Sequence, residues 1–176
     1  MLSKKTILRK IIDIEGGFVD DPSDSGGATN HGITERVARE YGYTGSMCKL
    51  SVELAIEIYT DKYWDKINGD SLLALSQKIT VEIIDAAINM GVYRAGEMLQ
   101  RSLNVLNDRG TLYEDIDVDG IIGNVTVNAL RNYLNVRHED VIIKAFNSLQ
   151  GAFYIALAER REKDERFLYG WLKNRV

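Results

Sequence analysis

A single cysteine, Cys48, leaves the chain unable to form an internal disulfide, so it matures in, or tolerates, a reducing compartment. Two histidines, His31 and His138, are too few for a histidine-rich metal site, and the chemistry read below needs neither a metal nor an organic cofactor. One proline and the absence of long polar runs exclude extended disorder. No stretch approaches the roughly 18 consecutive apolar residues of a membrane-spanning helix, so no membrane anchor is expected. The N-terminus is basic (Lys4, Lys5, Arg9, Lys10) but lacks the apolar run and small-residue cleavage site of a signal peptide. A protein of this kind that acts outside the cytoplasm needs another route out. The balance is mildly acidic, at net −4, which argues against a nucleic-acid binder with a basic face.

What is present suits one domain of common size, since 176 residues with a 45% apolar share can build a core. Helical spacing of Ile7, Leu8, Ile11, Ile12 and Ile14 after a Ser3 cap predicts a first helix, ended by Gly16 and Gly17. Residues 18–33 read as loop or a small β-hairpin, with turn signals at Asp21-Pro22 and Gly26-Gly27. Thr34 caps a short helix to Tyr41, and Ser51 caps one to about Trp64. Asn68, Gly69 and Asp70 break the chain. A helix apolar on most faces, from about Ile79 to Met90, reads as buried and central. Further helices are expected over about 94–103, 125–134 and 139–163, with an irregular stretch at 104–123 and an aromatic tail (Phe167, Tyr169, Trp171) too apolar to be left in solvent. The fold class expected is mainly α with a small hairpin.

The densest polar signal is E-G-G-F-V-D-D-P-S-D-S-G-G-A-T-N-H-G-I-T at 15–34. Splitting a glycosidic bond needs a protonated acid beside the leaving oxygen and a second group that positions water or stabilises charge on the sugar. Glu15, at a helix C-terminus and partly enclosed by apolar residues, suits the acid, because burial and the negative helix end both disfavour ionisation. A hairpin would fold Asp24 and Thr29 back towards Glu15. Asp24 then polarises a water, with Thr29 or Asn30 holding it. Asp20 and Asp21 read as solvated turn residues but compete for the second-carboxylate role. The bland reading of the whole stretch is a solvated helix end and a turn.

The stretch resembles the opening motif of glycoside hydrolase family 108, E-G-G-[YF]-V-x-x-P-x-D-x-G-G-x-T-x-x-G-I, at each fixed position. Y-T-D-K-Y-W-D at 59–65, D-A-A-I-N-M-G-V-Y-R-A at 85–95 with L-Q-R-S-L at 99–103, D-V-D-G-I-I-G-N-V-T at 117–126 and the closing F-L-Y-G-W-L-K-N-R-V resemble further segments of that family, in order along nearly the whole chain. The resemblance implies a lysozyme-like fold in a single domain over 1–176, with a catalytic part at 1–103 and a peptidoglycan-binding segment at 104–176 packed on it. It implies a phage or prophage endolysin, an N-acetylmuramidase with Glu15 as catalytic acid. Its substrate and partner would be bacterial peptidoglycan, cut at the β-1,4 bond between N-acetylmuramic acid and N-acetylglucosamine. The stretch is also reminiscent of phage-type lysozymes in its Glu–Asp spacing, although Thr29 falls one residue short. An enzyme of this kind is expected as a monomer, held in the host cytoplasm until a holin-type protein releases it to the periplasm and wall.

Other candidates carry bland readings beside functional ones. Tyr59, Tyr63 and Trp64 offer ring faces to a sugar, yet aromatics at helical spacing are more often core. Asn89 interrupts an apolar helix, and a buried amide there must be bonded, either bracing the loop or facing the groove. His31 can line the groove. D-I-D-V-D-G at 115–120 imitates the start of a calcium loop, but the twelfth position falls on Thr126 where a chelating Glu is required, so a tight turn at Asp119-Gly120 is preferred. The rival functions are a lytic transglycosylase giving anhydromuramic products and a non-catalytic wall-binding or phage structural protein.

Overall fold

Hydroxyl caps open four of the helices. The computed structural model describes residues 2–20 and 27–176. In it, the side chains of Ser3, Thr34, Ser51 and Ser76 accept bonds from the backbone N–H groups of Thr6, Val37, Leu54 and Ile79. Each satisfies a donor that a helix start leaves unpaired. These caps open α1 (Lys4–Glu15), α2 (Glu35–Glu40), α3 (Val52–Tyr59) and, beyond the short α4 (Gly69–Leu75), α5 (Gln77–Met90). Helices α6 (Val92–Val105), α7 (Asn124–Leu134), α8 (Glu139–Arg160) and α9 (Glu165–Arg175) follow. Strands β1 (Thr29–Asn30) and β2 (Ile33–Thr34) form an antiparallel pair, later in the chain than the start of the hairpin expected over 18–33. Val19 adds an isolated bridge to Thr29.

The chain divides into two compact units, Met1–Asp65 and Lys66–Val176. In the first, α1 packs on α3. Ile7, Leu8, Ile11 and Ile12 are buried on α1, and Ala55, Ile58 and Tyr59 on α3. A π-helical turn, Thr60–Trp64, extends α3 and ends on Trp64, which is fully buried. Such turns insert an extra residue per turn and reset which side chains face inward.

In the second unit, α5 packs on α4, α6 and α8, and α8 packs on α6 and α9. Buried Ile79, Ile83, Ile84, Ala86 and Ala87 agree with the central role expected of α5. By length and composition alone α8 is long and apolar enough to cross a membrane, but α5, α6 and α9 pack along it within the unit. The tail forms α9, where the Trp171 ring lies 5.1 Å from that of Tyr154 and Arg175 Nη1 pairs with the Asp85 carboxylate at 3.0 and 3.2 Å.

The irregular stretch expected at 104–123 is held by side-chain amides. Asn104 donates to the Ile116 carbonyl and accepts from the Ile116 N–H, at 2.8 and 3.0 Å. Gln100, buried on α6, donates to Asp119 Oδ1 at 2.7 Å and the Ile121 carbonyl at 3.1 Å, and accepts from the Gly120 N–H at 2.8 Å. The Asp119 carboxylate also accepts the Ile121 N–H at 2.9 Å. The Gln100 and Ile121 bonds hold it below the usual aspartate range. The D-V-D-G segment is therefore a tight turn clamped on α6, as expected.

That clamp leaves no space for a side chain at Gly96. A β-carbon there would lie 2.1 Å from the Gly120 carbonyl oxygen, and one at Gly120, which has φ +72°, would lie 2.5 Å from the Tyr93 ring. Gly96→Ala is expected to destabilise the fold by at least about 1–3 kcal/mol through forced backbone displacement. Gly170→Ala on α9, where a β-carbon meets nothing within 4 Å, is expected to be neutral or stabilising by up to about 1 kcal/mol. Chemical denaturation of the two variants checks both.

Candidate active site

The first unit holds the stretch at 15–34, of which residues 15–20 and 27–34 are described. Glu15 is the last residue of α1, and Gly16, at φ +97°, turns the chain out of the helix. Four residues after Glu15, Val19 exchanges two backbone hydrogen bonds with Thr29, N–H to carbonyl at 2.8 and 2.7 Å. By chain length alone the Glu15 α-carbon thus lies within about 14 Å of Val19, the residue bridged to Thr29. Residues 21–26, and with them Asp24, the competing Asp21 and the Asp21-Pro22 turn, lie outside the described residues, as does the side chain of Glu15.

Thr29 sits centrally, with Val19 on one side and Thr34 on the other. The loop joining β1 to β2 is the two-residue turn His31–Gly32, both at positive φ (54° and 72°). Short hairpins favour this backbone because it matches the right-handed twist of their strands. Residues beside each other in a strand point to opposite faces. Asn30 points inward, is 4% exposed and donates its amide to the Met47 carbonyl at 2.8 Å. Thr29, half-buried, faces the other way. The alternation therefore separates two residues that the sequence left as equivalent water holders.

Two side-chain bonds tie this hairpin to its unit, and a third joins α2 to the π-helical turn. Asn30 ties the hairpin to the 3-10 turn Met47–Lys49. The hydroxyl of Tyr59, which is buried, donates to the His31 carbonyl at 3.3 Å. The Tyr41 hydroxyl, at the end of α2, donates to the Asp61 carboxylate in the π-helical turn. That bond, with burial and the charges of Asp61 and Glu40, pushes the Tyr41 phenol up to about 12. Tyr59 and Tyr63 rings lie 5.4 Å apart at 45°. Tyr59 is thus part of the core and a brace, while Tyr63 is half-buried. Tyr41 and Asp61 were not singled out from the sequence. Asp61 stood inside the Y-T-D-K-Y-W-D segment, but only the fold brings its partner to it.

Two expectations change. The apolar enclosure of the α1 end does not come from its sequence neighbours, because Ile14 is 78% exposed and Phe18 46%. Every described residue from Asp13 to Asp20 is exposed, so the helix runs out of its core before it ends. Asn89 is exposed on the last turn of α5, in the second unit, and donates to the Asp85 carbonyl at 2.7 Å in its own helix. It is not the buried amide that its apolar surroundings suggested.

Residues 8–91 match the family model described as glycosyl hydrolase 108, and residues 94–176 match the one described as predicted peptidoglycan domain. Among solved structures, that of Brucella abortus SagA is similar, with a TM-score of 0.61 and 27% identity over 98% of each chain. No curated protein matches. The fold is the mainly α, lysozyme-like one with a small hairpin that the sequence led us to expect.

Asn30→Ala removes the donor to a carbonyl at a buried site, and is expected to cost about 1–3 kcal/mol, visible as a lower midpoint in urea. The raised Tyr41 phenol predicts a pH dependence. Its native pKa of about 12 lies above the value of 10.0 for an unperturbed phenol. The Tyr41–Asp61 contribution is therefore whole below about pH 10 and is lost as pH rises towards 12. The difference in unfolding free energy between wild type and Tyr41→Phe should shrink across that window. A constant difference there would refute the linkage.

Proposed function

Because residues 8–91 belong to the glycosyl hydrolase 108 family and residues 94–176 to a predicted peptidoglycan domain, we propose that this peptidoglycan-degrading glycoside hydrolase is an N-acetylmuramidase endolysin of phage or prophage origin. It cuts the β-1,4 bond between N-acetylmuramic acid and N-acetylglucosamine. The observation that carries the reading is the return of the chain from Glu15, through the Val19–Thr29 bridge, into one small braced hairpin. A helix-terminal carboxyl residue and an outward-facing threonine are thereby gathered in the same unit.

Glu15 donates its proton to the leaving glycosidic oxygen as the bond from that oxygen to the anomeric carbon breaks. The partial negative charge of the α1 C-terminus favours the protonated form at that position. Water, deprotonated by Asp24 and held by the Thr29 hydroxyl, adds to the anomeric carbon. Attack by water on the face opposite the leaving group inverts the configuration. Asn30 supports Thr29 from behind, its amide being taken by Met47. His31 and Tyr63 lie on the hairpin turn and beside Tyr59, where they border the sugar. Exposed Ile14, Phe18 and Val19 offer apolar surface that a bound sugar ring covers, supplying the desolvation the free helix end lacks. The enzyme works as a monomer, waits in the host cytoplasm and reaches the wall after a holin-type protein opens the membrane.

Glu15→Gln is expected to slow clearing of purified peptidoglycan by about 10²–10⁴-fold, with N-acetylmuramic acid reducing ends among the wild-type products by mass spectrometry. Products one water lighter would make the enzyme a lytic transglycosylase. Clearing unaffected by the substitution would remove Glu15 from the mechanism.

A further inference from the structure

The second unit holds a cleft of about 570 Å³ where the end of α5, the start of α6 and the sides of α8 and α9 come together. Three of its lining residues are arginines, Arg94, Arg160 and Arg161, and none is a carboxylate. In a chain of net charge −4 this is a local inversion of sign. The guanidiniums are oriented rather than loose. Arg94 lies 4.3 Å above the Phe153 ring and donates to the Met90 carbonyl at 3.3 Å, and Arg160 donates through Nε to the Ala156 carbonyl at 2.9 Å. Among the described residues, the carboxylate paired with Arg161 is a distant one, Asp164 at 4.0 Å. The nearby Asp85 is engaged by Arg175.

The aromatic rings at this cleft are already engaged. Arg94 covers Phe153, and Trp171 has the rings of Tyr154 and Phe167 against it at 5.1 and 5.9 Å. Sugar stacking needs a free ring face, whereas carboxylate pairing needs the donor edge of a guanidinium, which stacking on a ring leaves open. A volume of this size suits a ligand of a few residues.

We propose that this cleft binds the acidic peptide carried by peptidoglycan strands, its carboxylates paired with Arg94, Arg160 and Arg161 and its backbone in reach of the Asn89 amide. This rests on the peptidoglycan reading but assigns the second unit to the peptide rather than to the glycan. The attachment is electrostatic and weakens with salt.

The test is calorimetric titration of the full-length chain with a synthetic stem tetrapeptide (L-Ala, γ-linked D-Glu, a diamino acid, D-Ala) and with the same peptide carrying amidated carboxyls. Binding of the free acid, at least about tenfold weakened by amidation and by combined Arg94→Gln, Arg160→Gln and Arg161→Gln, is the expected result. Equal affinity for the acid and amidated peptides, or no binding of either, overturns the proposal without recourse to any variant. So does a variant that keeps its fold by circular dichroism and binds the acid peptide as the wild type does. Peptide-free glycan strands, prepared with an amidase and offered to the wild type, report on the muramidase reading separately. Hydrolysis of those strands without peptide binding sinks this inference alone, and peptide binding without hydrolysis sinks the muramidase reading alone.

Discussion

Backbone polar groups must find partners once they leave water, and this chain meets that demand in its irregular segments with side-chain amides. Its one proline and its one cysteine, which has no second cysteine to bridge to, offer little to stiffen loops. Asn104 pairs with both backbone groups of Ile116 as a neighbouring strand would. Gln100 does the same around Gly120, and Asn30 anchors the hairpin to Met47. Each amide is held by a helix or strand and fixes a segment that has no ladder of its own. The approach of Gly96 to Gly120 follows from the same clamp, since the turn must come close enough for Gln100 to reach both sides of it.

The elements that were legible in the sequence are those whose starts are local events. Ser3, Thr34 and Ser51 announce helices because a hydroxyl cap needs only the next turn to act. Helix α4 was not legible, since Asn68 opens it from a left-handed conformation with no side-chain cap and Gly69 is a poor helix former. Helix α9 was seen only as an aromatic tail. Its Trp171 ring meets that of Tyr154 on α8, a contact across the unit that no window of sequence contains, while Phe167 and Tyr169, expected to leave solvent, stay exposed. Ile14 was placed in the core by periodicity. Periodicity tells which side of a helix is apolar, not where along its length the core stops.

The candidate site shows the same division. The Glu15 to Thr34 stretch was readable because its residue types suit no core and no helix. The separate roles of Thr29 and Asn30 were not readable, because they depend on which face of a two-residue strand meets Met47. Asn89 was misjudged for a related reason: an amide among apolar residues need not be buried if it stands on the one exposed stripe of its helix.

The family boundary and the physical boundary of the chain fall in different places. The glycosyl hydrolase 108 match runs to residue 91, whereas the first compact unit ends at Asp65. The intervening residues form α4 and α5, and α5 buries Ile79, Ile83, Ile84, Ala86 and Ala87 in a unit it shares with α6 and α8. At roughly 1.5–3 kcal/mol for each large aliphatic side chain buried, that face is worth several kcal/mol. Helix α5 is therefore a hydrolase element by sequence and the centre of the C-terminal unit by packing. Ile83 from the first matched segment and Leu99 from the second are both buried where α5 packs on α6, so a large-to-small change at either loosens a core that residues of both segments build.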